Sequence, residues 1–247
     1  MTKGNADLGE QALSKAFEMG LSTQLDAADA LEAEIRTNPM ALMQGELESA
    51  DIQGRGLVIK DDLRTELLTV KTDGLAIDPL KAALGEIELT RPTNATAAVE
   101  LTEADIERAC NSAYIRQKLQ ALDVTLEGRP VQVSAEHISF SLPGDGRVAI
   151  AASVTVDNAG DRQQVAFRAV PTMGPRGYEV VLNEVEIEPE NTSPALTESL
   201  LAAARDLLDL HNFTLSGMTL QLQSLAVRPG KIVLQVQALV ESFPGGQ

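Results

Sequence analysis

The sequence predicts an α+β fold in which a long, curved antiparallel β-sheet wraps amphipathic helices. Three observations lead there. Many segments alternate apolar and polar residues at period two, several of them over ten or more positions. Some of these segments switch parity midway, and only a bulge or bend keeps such an apolar set on one face. Two helical segments each carry a single apolar stripe. A strand of about 15 residues reaches about 50 Å. Long strands that bulge repeatedly describe a sheet that curls, and a curled sheet with amphipathic helices suggests sheet around helix.

In chain order, residues 6–26 read as a helix, with Leu13, Phe17, Leu21, Leu25 and Ala28 on one stripe. Residues 30–36 alternate strictly, with Leu31, Ala33 and Ile35 on one face and Glu32, Glu34 and Arg36 on the other. Asn38-Pro39 marks a break. Strands are expected at 46–53, 56–61, 63–72 and 75–78, a helical turn at 79–84, and strands at 86–90 and 96–101. Thr102-Glu103-Ala104-Asp105 resembles a capping box and opens a helix to about 109, with a second piece at 112–120. Strands follow at 122–127, 130–142, 147–157, 162–170 and 178–188. Ser193-Pro194 then starts a helix over 194–210, with Leu196, Leu200, Ala204, Leu207 and Leu208 inward. Strands 213–227 and 231–242 close the chain around a turn at Arg228-Pro229-Gly230.

The parity switches are specific. In 130–142 the apolar set passes from Val131, Val133 and Ala135 to Ile138, Phe140 and Leu142. In 213–227 it passes from Phe213 and Leu215 to Met218, Leu220 and Leu222, then to Leu225 and Val227, with Gly217 at the first switch. The stretches SFSLPGDGRVAIAASV (139–154) and LAVRPGKIVLQVQALV (225–240) echo each other as strand, Pro-Gly turn, strand. Duplication and ordinary hairpin chemistry both account for that echo.

Composition bounds the function. The 247 residues are 44% hydrophobic and 23% charged, enough for a core and unlike a disordered chain. A net charge of −16 makes the chain a poor partner for nucleic acid or an anionic membrane surface. One cysteine excludes an internal disulfide. The N-terminus lacks a basic segment followed by an apolar one, and no run of apolar residues spans a bilayer, so a cytoplasmic protein is expected, with membrane association left open. Aromatic residues are scarce, at five Phe, two Tyr and no Trp. That disfavours the Trp- and Tyr-anchored interfaces of membranes and protein hot spots.

Reactive groups are few. His137 and His211 have no metal-ligand spacing, and both read as structural. Cys110 stands beside Asn111 at a helix end with no nucleophile motif. Gly54-Arg55-Gly56 lacks the third glycine and following helix of a phosphate loop, and reads as a bulge or a close backbone approach. No G-x-S-x-G occurs. No catalytic residue, metal or cofactor is assigned.

Three stretches carry a resemblance: QGELESADIQGRGL (44–57), LLTVKTDGLAIDP (67–79) and LTEADIERACNSAYIRQKL (101–119). Together they resemble the LmeA-like phospholipid-binding family, formerly a domain of unknown function common in cyanobacteria and actinobacteria. The resemblance runs through about 30–157 and rests on structural motifs. It implies a TULIP-like architecture, a curved sheet around a long helix with an apolar groove between them. It also implies binding of phospholipid, including phosphoinositides in secreted actinobacterial members. This chain differs from those in its acidity and in lacking an export signal.

On this reading 1–247 is a single elongated lipid-binding-type domain, with two related halves, about 1–110 and 111–247, as a further possibility. Its expected function is non-enzymatic binding of a phospholipid or other long-chain lipid, with transfer left open. Phe17, Leu21, Leu25, Phe140, Leu200 and Leu207 are the expected lining. The partners are lipid, a membrane touched transiently, and a second copy joined edge to edge; nucleic acid is not among them. The competing readings are a ligand-free adaptor that presents an acidic outer face, and a lipid hydrolase.

Overall fold

A computed structural model describes residues 8–23, 25–59, 63–78, 80–81, 88–126, 128–156, 162–188, 194–210 and 217–242. The elements run α1 (Leu8–Ser22), β1 (Ala30–Arg36), α2 (Pro39–Met43), β2 (Glu46–Ile59), β3 (Leu63–Ala76), β4 (Thr93–Thr102), α3 (Glu103–Cys110), α4 (Ala113–Lys118), β5 (Leu122–Leu126), β6 (Arg129–Gly144), β7 (Arg147–Val156), β8 (Arg162–Met173), β9 (Val180–Ile187), α5 (Pro194–Leu207), β10 (Met218–Arg228) and β11 (Lys231–Val240). Two antiparallel sheets result, ordered β1-β2-β3-β4-β11-β10 and β5-β6-β7-β8-β9. The first sheet is completed only by the C-terminal hairpin, so no cut near residue 110 leaves it whole.

The expected α+β architecture of curled antiparallel sheet and helices is the one observed. The curl follows from size. Five flat strands would set β5 and β9 about 19 Å apart, at about 4.8 Å per strand. Yet α5, about 10 Å across, touches both of these edge strands and β8. The second sheet therefore rolls around α5.

Two parity switches are bulges. The β6–β7 register shifts between Ala135 and His137, and the β10–β11 register shifts between Leu222 and Ser224. Each extra residue keeps the apolar set on one face: Val133 and Ala135 are buried before the first bulge, and Ile138, Phe140 and Leu142 after it. Other expectations are corrected. Where four short strands are expected there are two long ones, Glu46–Ile59 and Leu63–Ala76, because β2 keeps one register on β3 across Gly54 and Gly56. Asn38-Pro39 starts a helix as well as ending a strand, since the Asn38 side chain accepts from Ala41 N–H and caps α2. The β6–β7 turn is Asp145-Gly146, at φ 53° and 73°, rather than Pro143-Gly144. His211, the Ser193 cap, most of the 79–84 turn and the start of 213–227 lie outside the described residues.

Helices close the sheet edges by one repeated device. Along α1, Glu10, Ser14 and Glu18 accept hydrogen bonds from the N–H groups of Thr37, Ile35 and Ala33, at 3.0, 3.0 and 3.3 Å. Along α3 and its C-terminal cap, Glu103, Glu107 and Asn111 accept from Leu142, Phe140 and Ile138 on the edge of β6 that β5 leaves uncovered. The spacing explains both. Four helical residues rise about 6.0 Å and two strand residues about 6.6 Å, so acceptors at i, i+4 and i+8 meet every second N–H of an antiparallel edge strand. An edge-to-edge dimer would find the outer N–H groups of β1 already bonded.

The sheets are joined at α3. Its capping box is complete, with Asp105 N–H donating to Thr102 Oγ1 at 3.2 Å and Thr102 N–H donating to Asp105 Oδ2 at 2.9 Å. Asp105, 2% exposed, also accepts from Arg64 of β3 at 2.7 Å. Arg64 reaches Glu66 at 2.9 Å and Asp29 at 3.4 Å. This explains the second glycine of the β2 pair: Gly56 has φ +56°, and a Cβ there would lie 1.9 Å from Asp29 Oδ2, whereas at Gly54 it would meet the Leu57 side chain at 2.5 Å. Burial works to raise the Asp105 pKa. The Thr102 hydroxyl and N–H and the Arg64 guanidinium outweigh it, holding the carboxyl below the usual range.

Two outcomes follow. Asn111→Ala strips both partners from Ile138, whose carbonyl accepts from Asn111 Nδ2 at 2.6 Å, and should cost about 2 kcal/mol in urea denaturation with faster exchange of the Ile138 amide. Asp105→Asn should cost about 3 kcal/mol at neutral pH because it leaves Arg64 without its buried partner. A lowered folded pKa stabilises above the unfolded value of about 3.9 and stops doing so as pH falls through the folded value. The gap between wild type and Asp105→Asn should therefore narrow below about pH 4, and a gap unchanged at low pH would contradict the assignment.

Candidate functional site

The interior has two apolar cores. The first lies between α1 and the first sheet and holds Phe17, Ile35, Leu47, Leu75, Ile77 and Val240. The second fills the rolled sheet around α5 and holds Phe140, Phe167, Val133, Val154, Leu196 and Leu200. The β10–β11 hairpin serves both: Ala238 and Val240 enter the first core with Met218 and Leu220 against it, while Ile232 enters the second with Leu225, Val227 and Leu234. The bulge between Leu222 and Ser224 sits between the two ends of this hairpin.

The expected lining residues divide between these cores. Phe140 (8% exposed) and Leu200 (7%) are buried together in the second core, with Leu207 half-buried against it. Phe17 is 1% exposed in the first core. Leu21 and Leu25 are half-buried, and Leu25 falls beyond the end of α1. Phe140, Leu200 and Leu207 thus come together, while the three N-terminal residues lie with the other sheet.

Two surface depressions stand out among the described residues. One, of about 470 Å³, is lined by Arg116, Gln120, Ser134 and Glu136 where α4 meets β6. The other, of about 120 Å³, lies on the second sheet over Phe140 and Phe167, between Ser139, Ser141, Ala149 and Ala151. The first has a mixed lining that also includes Ala121 and Ala135, and the second is small.

The reactive side chains are quiet. Burial, helped by Glu107, pushes the Cys110 thiol up to about 11, so it stays protonated at neutral pH. His137 is exposed at the β6 bulge. Among the described residues, no three His, Cys, Asp or Glu converge as metal ligands, and no helix is long and apolar enough to cross a membrane. Sequence periodicity missed the edge-clamping residues Glu10, Ser14, Glu18, Glu103, Glu107 and Asn111. Their signal was a polar residue at every fourth position.

Two of the three motif stretches, 44–57 and 101–119, converge on the joint between the sheets. Gly56, Thr102 and Asp105, from two of them, meet around Arg64. Glu103, Glu107 and Asn111, from one of them, clamp β6. No curated protein gives a significant match to the chain. A family model described as LmeA-like phospholipid-binding matches residues 4–237, from ahead of α1 to within β11. With nearly its whole length matched, and with two of the three motif stretches meeting at the joint of the fold, the chain belongs to the LmeA-like phospholipid-binding family.

Proposed function

We propose that this protein binds a phospholipid without chemical conversion, holding acyl chains against the aliphatic interior of a single domain. The observation that carries the reading is membership of a phospholipid-binding family along 4–237. The interior supports it, because both cores are built mainly from Leu, Val, Ile and Ala, with Phe17 in the first and Phe140 and Phe167 in the second. Such walls offer no hydrogen bond and no nucleophile, so they select for apolar volume alone. Each acyl methylene removed from water contributes about 0.8 kcal/mol.

Phe140, Leu200 and Leu207 form one wall of this space, and Phe17, Leu21 and Leu25 another. Carriage of lipid between membranes would use the same interior, with the headgroup left at the surface.

Mass spectrometry of an organic extract, paired with the native mass of the intact protein, tests this directly. The expected result is a near-stoichiometric two-chain phospholipid. A clean apo mass after incubation with mixed liposomes would overturn it, and a stoichiometric protein partner in its place would favour an adaptor. Leu207→Gln should lower lipid occupancy severalfold while the protein stays folded, since this side chain is only half-buried. Short-chain and phospholipid esters should remain uncleaved.

A further inference from the structure

We propose that the tip of the first sheet formed by α2 and Leu80 is the surface through which this protein docks on a phospholipid bilayer. The proposal rests on the lipid-binding reading and names where the membrane is met.

Three apolar side chains stand out in solvent: Met40 at 71%, Met43 at 82% and Leu80 at 78% exposed. They share one end of the sheet, where β1 and β3 finish and β2 and β4 begin. The Ile77 N–H donates to the Gly45 carbonyl at 2.8 Å, tying the segment that bears Leu80 to the residues just after α2. Within α2 the side chains divide by face. Leu42 packs against the first core, while Met40 and Met43, three residues apart, point together into solvent. The capping bond from Ala41 N–H to the Asn38 side chain, 2.8 Å, and Pro39 at the first position hold this turn in place. These side chains are therefore held outward by an ordered turn.

Charge identifies the occupant. In a chain of net charge −16, residues 37–45 (TNPMALMQG) carry no charge and 79–85 (PLKAALG) carry no acid. The flanking cations are neutralised, Lys81 by Glu88 and, more loosely, Arg91 by Glu46 at 4.0 Å. The outward side chains of the tip are thus apolar and uncharged on an acidic body, and the adjoining Asp78 carboxylate is engaged by the N–H groups of Leu80 and Lys81, at 2.8 and 3.2 Å. It offers no Trp, Tyr or Arg of the kind that anchors protein interfaces. Flexible Met and Leu side chains instead suit a fluid, chemically uniform layer. An uncharged tip inserts by apolar transfer, so binding should not need anionic lipid, and the acidic body should make anionic vesicles the poorer target at low salt.

The chain has no Trp, so one introduced indole reports without background. Met43→Trp should show a blue-shifted emission on phosphatidylcholine vesicles, with shielding from an aqueous quencher. Met19→Trp is the control: Met19 is 65% exposed, and its neighbour Glu18 contacts Ala33, about 13 Å back along β1 from Thr37. Its emission should not move. Replacing Met40, Met43 and Leu80 together by Ser should lower vesicle binding at least about tenfold. These side chains are solvent-exposed, so the thermal midpoint should hold. An unmoved Met43→Trp spectrum in a protein whose extract holds stoichiometric lipid would overturn the docking tip and leave lipid binding intact. Absence of both lipid and shift would remove both. A blue shift that grows with protein concentration in vesicle-free buffer would mean that a second copy covers the tip, which also overturns the proposal.

Discussion

The fold depends on a match of two pitches. An α-helix advances about 6.0 Å in four residues and a β-strand about 6.6 Å in two. A helix with polar side chains at every fourth position can therefore satisfy successive outward N–H groups of an edge strand. This chain uses the match twice, at α1 on β1 and at α3 on β6. A row of unpaired edge N–H groups is a template for aggregation. Here the row becomes the means of attaching a helix. The mismatch of about 0.6 Å per step accumulates slowly, which suits runs of three bonds and no more.

From that constraint the rest follows. Because α3 grips β6 through its acidic face, Asp105 is left facing the first sheet, where Arg64 meets it. The same short helix thus fixes both sheets, and the chain then returns through β10–β11 to complete the first sheet. That hairpin must serve two cores along one face. A straight strand would lose its alternation where the apolar set changes parity, and the one-residue bulge after Leu222 restores it. What remains inside is two mainly aliphatic cores, each beside an edge that a helix has clamped.

Much of this was legible in the sequence. The parity switches at Ala135–Ile138 and Leu222–Leu225 located both bulges, because a period of two tolerates no slip across a half-buried strand. The Thr102–Asp105 cap was visible because capping is local chemistry. Strand continuity through Gly54 and Gly56 was not. Glycine weakens local strand propensity, and what overrides it is the approach of Asp29 and the pairing with β3, neither encoded nearby. The division of Phe17 from Phe140 and Leu200 was likewise hidden, since an apolar stripe tells that a helix packs but not against which sheet. Met40 and Met43 escaped notice because five residues of helix give too little periodicity to separate an inward Leu42 from its outward neighbours.

The two helices that cover the cores are held by different chemistry, and this bears on how a lipid enters. On α5, Leu196, Thr197, Leu200 and Leu201 are buried, and each Leu contributes about 1.5–3 kcal/mol through burial. On α1, Phe17 is the one side chain buried to that depth among those described, and the remaining attachment includes three side-chain hydrogen bonds, each worth about 1 kcal/mol net. Water can replace those bonds when the helix lifts, whereas it cannot replace the contacts of α5. Opening the first core therefore costs less than opening the second. The N-terminal end of α1 lies beside α2, where Gly9 approaches Leu42, so the weaker attachment and the apolar tip occupy the same end of the molecule. On the lipid-binding reading, a bilayer engaged by Met40 and Met43 would stand next to the helix that is easiest to displace, and an acyl chain leaving it would pass Leu42 and Leu13 before reaching Phe17.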